Sequence, residues 1–269
     1  MTNTLGDWLA REPFALAMSS GFFSFFAHTG MLDALTSRGL SPARVSGSSA
    51  GALVAGAWAA GLPAAALASR LQGLQRGDFW DPAPGAGLLA GRRFDRLLRD
   101  MLPATALAAC AVPVQISVFD IVRRATAVLA SPGFAVARSN AQRCAALTDD
   151  GDLVHAIRAS CAVPGLFHPV WIARRAYWDG GILDRPGLAG LPAGARVLHH
   201  HIASRSPWRR TLEVPRRPGM VTLALAGLPR SGPFRLEAGR RALELAREAT
   251  LRALDAPVPA NGCVTQHSS

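Results

Sequence analysis

Val45-Ser46-Gly47-Ser48-Ser49-Ala50-Gly51 carries the pattern G-x-S-x-G between a β-type approach, Ala43 to Ser46, and an apolar continuation, Gly51 to Ala60. A serine at the tip of a strand-to-helix turn has strained backbone angles, and its two flanking elements must approach closely. Small neighbours are therefore required, and Gly47, Ser48, Ala50 and Gly51 supply them. This reads as a nucleophile elbow with Ser49 as the exposed hydroxyl. On the motif alone an ordinary Gly-rich turn fits as well, because such matches arise by chance in a chain with 26 glycines.

Upstream, Phe14 to Met18 reads as a short buried strand running into Ser19-Ser20-Gly21, and Phe22 to Arg38 as a helix capped by Gly39. A strand that opens a helix through Ser20, Gly21 and Phe22 leaves backbone N–H groups, and the positive end of the helix dipole, where an anion can sit. That is the geometry of an oxyanion hole. Downstream, helices are expected over 51–60, 63–73 and 92–101, with Phe79 and Trp80 between them as core anchors or acyl-chain contacts. Val112 to Ile121 alternates as a strand does, and Thr126 to Ala130 pairs with it across a turn. A helix over 153–161, cut by Pro164, leads to a strand at 171–173 and then to Tyr177-Trp178-Asp179-Gly180-Gly181. A carboxylate at the end of an apolar strand, followed by Gly180 and Gly181, projects from a sharp turn. Strands at 196–203 and 220–228 and a long helix over 234–254 follow. Alternating strands and helices imply an α/β fold with a mostly parallel sheet. It forms one domain over residues 13–256, between a lead-in (1–12) and a tail (257–269) expected to fray.

The balance of 49% hydrophobic and 17% charged residues is too apolar for disorder. Residues 13–32 and 45–69 contain no charged side chain and are long enough to span a bilayer. Pro13, Pro63 and the many Ser and Gly within them read instead as buried elements. The N-terminus lacks a basic region ahead of its apolar run, which points to a cytoplasmic protein. Cys110, Cys144, Cys161 and Cys263 show no metal-site or redox spacing, so no metal and no cofactor is expected. The net charge of +11 comes from arginine alone. Residues 196–255 hold twelve arginines against five acidic residues, a face that attracts an anionic membrane surface or is simply solvated. No feature calls for nucleic acid, and oligomeric state is not legible.

A serine hydroxyl is a poor nucleophile until a base takes its proton, and a tetrahedral acyl intermediate needs fixed donors for its oxyanion. Ser49, Asp179 and the loop Ser20-Gly21-Phe22 offer the three parts. In this order they resemble the patatin-like phospholipase family. That family has a Gly-rich oxyanion loop before a helix with a His-x-Gly segment, here His28-Thr29-Gly30. It then has G-x-S-x-G, here Gly47 to Gly51, and D-G-G, here Asp179-Gly180-Gly181. Ile157 to Gly165 is similar to its R-A-S-x-A-x-P-G run. The resemblance implies a three-layer α/β/α sandwich and a Ser49/Asp179 dyad that cleaves lipid esters, phospholipid or acylglycerol, through an acyl-enzyme. The stretch Ser20 to Phe25 keeps one glycine and no basic residue where the family commonly has G-G-G-x-R/K-G. Two rivals remain. One is an α/β-hydrolase triad using His199, His200 or His201, disfavoured because only two strands precede the elbow. The other is a membrane-associating protein that keeps the fold with impaired catalysis. His155 and His168 read as structural.

Overall fold

The computed structural model describes residues 4–132, 146–147, 151–202 and 214–267; Cys144 and the expected strand end at Ala203 lie outside them. In chain order the elements are α1 (Leu5–Arg11), β1 (Ala15–Met18), α2 (Phe25–Ser37), β2 (Arg44–Ser48), α3 (Ala50–Ala59), α4 (Ala64–Gln72), β3 (Gly87–Leu89), α5 (Arg92–Met101), β4 (Val114–Asp120), β5 (Ala125–Ala130), β6 (Ala146–Leu147), α6 (Leu153–Ser160), β7 (Gly165–Phe167), β8 (Val170–Ile172), β9 (Arg175–Asp179), β10 (Val197–Ile202), β11 (Met220–Ala226), α7 (Leu236–Leu254) and β12 (Cys263–His267).

The main sheet has the order β12-β11-β10-β1-β2-β4-β5-β6 and is parallel from β12 through β4, with β5 antiparallel to β4. β1 shows why the strands are apolar throughout. Leu16 and Met18 enter the large core shared with the helices, whereas Ala15 and Ala17 face a smaller cluster with Leu188, Ala189 and Leu191. The alanines leave room for the segment after Asp179 to lie against the sheet. From β1 the chain moves to β2 on one side and returns much later to β10 on the other. This is a switch in strand order, and ligands in such sheets bind beyond the carboxyl ends of the strands that flank it.

The helical layer closes on β1 and β2 through close backbone approaches. A Cβ on Gly30 would come within 2.1 Å of the Leu243 carbonyl oxygen, so the glycine of His-x-Gly is what lets α2 and α7 touch. Ala242, Ala246, Ala249 and Ala253 form the buried stripe of α7.

The structure departs from the sequence expectations in three places. The lead-in contains α1, whose N-terminus is closed by a reciprocal capping box between Thr4 and Asp7. The tail does not fray over its whole length, because Cys263–His267 pairs in parallel with β11 and buries Val264. α2 begins at Phe25 rather than Phe22, and Phe23 adopts φ 56°, so residues 22–24 form a turn. The two uncharged windows fold into β1 with α2 and β2 with α3 and α4. Among the described residues no helix is long and apolar enough to cross a membrane.

Candidate active site

Ser49 and Asp179 lie 130 residues apart in sequence, and β4 is what joins them. One edge of β4 is taken by β5 along its length. The other edge is shared: β2 pairs with it up to Ser48↔Ser117, and the antiparallel β9 pairs with it down to Val118↔Asp179. β2 and β9 thus run toward each other along one edge and end on consecutive β4 residues. The residue after Ser48 and the last residue of β9 are forced together. The Ser49 hydroxyl donates to Asp179 Oδ2 at 2.6 Å.

Ser49 has φ 53° and ψ −121°, a strained conformation for a side chain-bearing residue. Its surroundings hold it there. A Cβ on Gly47 would meet Gly51 backbone at 2.4 Å, and one on Gly51 would meet the Met18 carbonyl at 2.3 Å, so the elbow needs both glycines for close packing. The Ser49 amide donates to Ser160 Oγ at 2.8 Å, and that hydroxyl donates onward to the Ser117 carbonyl at 2.7 Å. Ala50 opens the ten-residue α3, whose dipole favours negative charge at this end. Ser48 is fully buried, and its hydroxyl lies 3.0 Å from where a Cβ on Gly180 would sit.

Asp179 is 6% exposed. Burial pushes its carboxyl up to about 6, against the pull of the Ser49 hydroxyl, the Gly181 amide and the positive charge of Arg185. Oδ1 accepts the Gly181 N–H at 2.7 Å, which fixes the carboxylate and leaves Oδ2 for Ser49. Gly180 is obligatory, since a Cβ there would come within 2.1 Å of the Ser117 carbonyl.

The expected oxyanion loop lines the same cavity as Ser49 and Asp179, but its donors differ from the expectation. The Ser20 amide donates to the Arg185 carbonyl at 2.7 Å and is not free for an oxyanion. The amides of Gly21 and Phe22, and that of Ala50, have no hydrogen-bond partner among the described residues. Starting α2 at Phe25 is what leaves the first two unengaged. Ser24 pins the turn, its hydroxyl donating to the Gly21 carbonyl at 3.0 Å.

Among the described residues no histidine is hydrogen-bonded to Ser49 or Asp179. His28 Nε2 lies 2.8 Å from the Ser19 carbonyl, an acceptor, so that nitrogen carries the proton. Nδ1 then accepts from His200 Nδ1–H at 2.8 Å. Burial lowers His28 to about 4 and His199 to about 3, and His200 falls well below its ordinary value. No histidine lines the Ser49 cavity among the described residues. Cys161 is no rival nucleophile either. Burial and the nearby Asp179 charge raise its thiol far above neutrality, and it donates to the Ser49 carbonyl at 3.2 Å.

The cavity around the dyad has a volume of about 370 Å³. It adjoins an apolar chamber of about 460 Å³, the two sharing Phe23, Phe25, Leu53, Phe94 and Phe167 as walls. Phe79 lines the chamber, whereas Trp80 stacks edge-on against Phe234. The buried Arg158 guanidinium sits 5.3 Å from the centres of both Phe94 and Phe167. At the rim Phe22 is 57% exposed and Ile182 41%. On α7, Arg240, Arg241 and Arg247 pair with Glu237, Glu244 and Asp33.

Four residues that shape the site carry no role in the sequence reading. Ser160 was visible within the R-A-S run but its role was not. Asp184, buried, accepts from Ser117 Oγ at 2.5 Å and from the Leu188 and Ala189 amides, tying the segment after the Asp-Gly-Gly turn to β4. Gly187, at φ 69°, presents its carbonyl to Ser46 Oγ at 2.5 Å. Arg185 is the fourth. A buried serine, aspartate or glycine in a loop carries no spacing that announces it.

The family model for patatin-like phospholipase matches residues 16–191. Among solved structures, VipD from Legionella pneumophila superposes with a TM-score of 0.53 at 15% identity, over 91% of this chain and 67% of that one. The type III effector ExoU superposes with a TM-score of 0.45 at 17% identity, over 90% of this chain and 53% of that one. In its complex with SpcU from Pseudomonas aeruginosa the values are 0.44 and 16%, over 91% and 52%. The chain thus spans about half the length of ExoU. The VipD likeness is one of fold. The family match runs from β1 through the elbow and the Asp-Gly-Gly turn, and the chain belongs to the patatin-like phospholipase family, hydrolases that act on ester bonds.

Proposed function

We propose that the protein hydrolyses carboxylic esters of lipids with Ser49 as nucleophile and Asp179 as its base. The observation that carries this is the 2.6 Å hydrogen bond from the Ser49 hydroxyl to a buried Asp179 carboxylate. As Oγ attacks the acyl carbon, its proton passes to Oδ2. An ordinary aspartate is a weak base, and a carboxyl raised to about 6 is a better one that is still ionised at neutral pH. The developing oxyanion is met by the amides of Gly21, Phe22 and Ala50 and by the α3 dipole. Asp179 then returns the proton to the leaving alkoxide. In the second half-reaction it takes a proton from the water that attacks the acyl-enzyme, and it returns that proton to Ser49 Oγ as the acyl–oxygen bond breaks and the carboxylic acid leaves.

The apolar chamber beside the dyad fits a long acyl chain, since Phe, Leu and Met side chains form most of its wall. The exposed Phe22 and Ile182 at the rim support docking on a lipid surface by apolar contact.

Ser49→Ala and Asp179→Ala are each expected to lower kcat for a long-chain ester by at least about a thousandfold, with the circular dichroism of the folded chain retained. Wild-type turnover in either variant would remove the dyad. A folded wild-type protein inert toward every ester but still sedimenting with vesicles would support the rival in which the fold serves membrane association alone.

A further inference from the structure

The Ser49 cavity is apolar apart from the dyad, its loop and one cation. Among the described residues Arg185 is the single basic residue lining it. It is half-buried, and its guanidinium has no hydrogen bond or ion pair among the described residues. The one carboxylate nearby, Asp179, is already engaged by Ser49 and the Gly181 amide. The loop across the cavity, Ser19 to Phe25, contains no charged residue. A cation lining an apolar site loses hydration when lipid covers it, a cost that a neutral ester leaves to the Asp179 charge alone and a bound anion offsets further. Guanidinium also matches phosphate oxygens with paired donors.

We propose that Arg185 is the receptor for the phosphodiester of a glycerophospholipid, and that it selects phosphate-bearing lipid esters over neutral glycerides at the Ser49 site. The inference rests on the ester-hydrolase reading of that site. The main chain of Arg185 is held beside the oxyanion loop, because the Arg185 carbonyl accepts the Ser20 amide. That bond survives any side-chain substitution at this position.

The test compares wild type, Arg185→Ala and Arg185→Lys on a short-chain diacyl phosphatidylcholine and on the diacylglycerol with the same chains. Rates are taken at pH 8.5, where Asp179 is ionised with or without the neighbouring charge. The preference for phospholipid, as the ratio of kcat/KM values, is expected to fall about tenfold to a hundredfold in Arg185→Ala, through KM, with part recovered by Lys. Glycerophosphocholine is expected to compete in wild type and not in Arg185→Ala. Equal losses on both lipids, or an unchanged ratio, would overturn the assignment. Inhibition by inorganic phosphate alone, undiminished in Arg185→Ala, would do the same. Calorimetric binding of the two lipids to Ser49→Ala, with and without Arg185→Ala, reads the same preference without turnover. A protein inert toward all esters yet binding phospholipid through Arg185 would separate failure of the hydrolase reading from failure of this one.

Discussion

At the scale of single residues, Asp179 carries opposite demands. A carboxyl ionised in the unfolded chain near 3.8 and in the folded chain near 6 weakens the fold as pH rises through that window, and the full deficit is present above it. The strain at Ser49 adds to this, so the site is held by the glycines and hydrogen bonds around it. Asp179→Asn removes the buried charge and keeps a side-chain oxygen and nitrogen for Gly181 and Ser49. It is expected to stabilise the protein at pH 8 by on the order of 2 kcal/mol, raising Tm by about 5 °C in a thermal melt, with the gain shrinking below pH 4. A lower Tm at pH 8 would mean that the carboxylate stabilises the fold rather than taxing it. Residues of this kind were legible where chemistry and spacing coincide: Ser49, Gly47, Gly51 and the Asp179-Gly180-Gly181 turn all stand in motifs. Ser20 was misassigned because no sequence pattern says that its amide is occupied by a carbonyl 165 residues away.

At the scale of elements, the site depends on β4 serving two strands on one edge, and Ser160 at the end of α6 secures the junction. Its hydroxyl bridges the Ser49 amide and the Ser117 carbonyl. Ser160→Ala leaves both groups unpaired and frees the elbow to shift. It is expected to lower kcat about tenfold to a hundredfold while KM changes little, and Ser160→Thr to restore much of the loss. A purely structural role would change Tm without this split between kcat and KM. Long, strongly patterned elements were readable from the sequence: α5 and the apolar strands β1, β4, β5 and β11 follow directly from period and β-branched content. Short ones were not. β3 and β7 have three residues each and form a two-stranded sheet of their own, and β12 pairs with β11, so these short strands lack enough local pattern to declare themselves. The start of α2 was read three residues early because Phe22 and Phe23 fit a helical face, whereas the positive φ of Phe23 breaks the helix there.

At the scale of the molecule, the order of parts along the chain was more informative than any part. A loop, an elbow after two strands and an Asp-Gly-Gly turn far downstream specify a sheet whose strand order switches beside β1, with every candidate group at the carboxyl ends of β1 and β2 or at the end of β9, which stops beside β2 on the same edge of β4. What sequence order does not carry is how far the chain after Asp179 folds back, and it is that return which brings Arg185 to the loop and lays Leu188 to Leu191 on the sheet. The account stands or falls on whether the elbow serine is activated by the carboxylate beside it. The most direct measurement is the rate at which a fluorophosphonate labels the protein as a function of pH, with the adduct mapped by mass spectrometry. The adduct is expected on Ser49, at a rate that rises with an apparent pKa near 6 and is lost in Asp179→Asn; an adduct on Ser48, or labelling of Asp179→Asn at the wild-type rate, would contradict it.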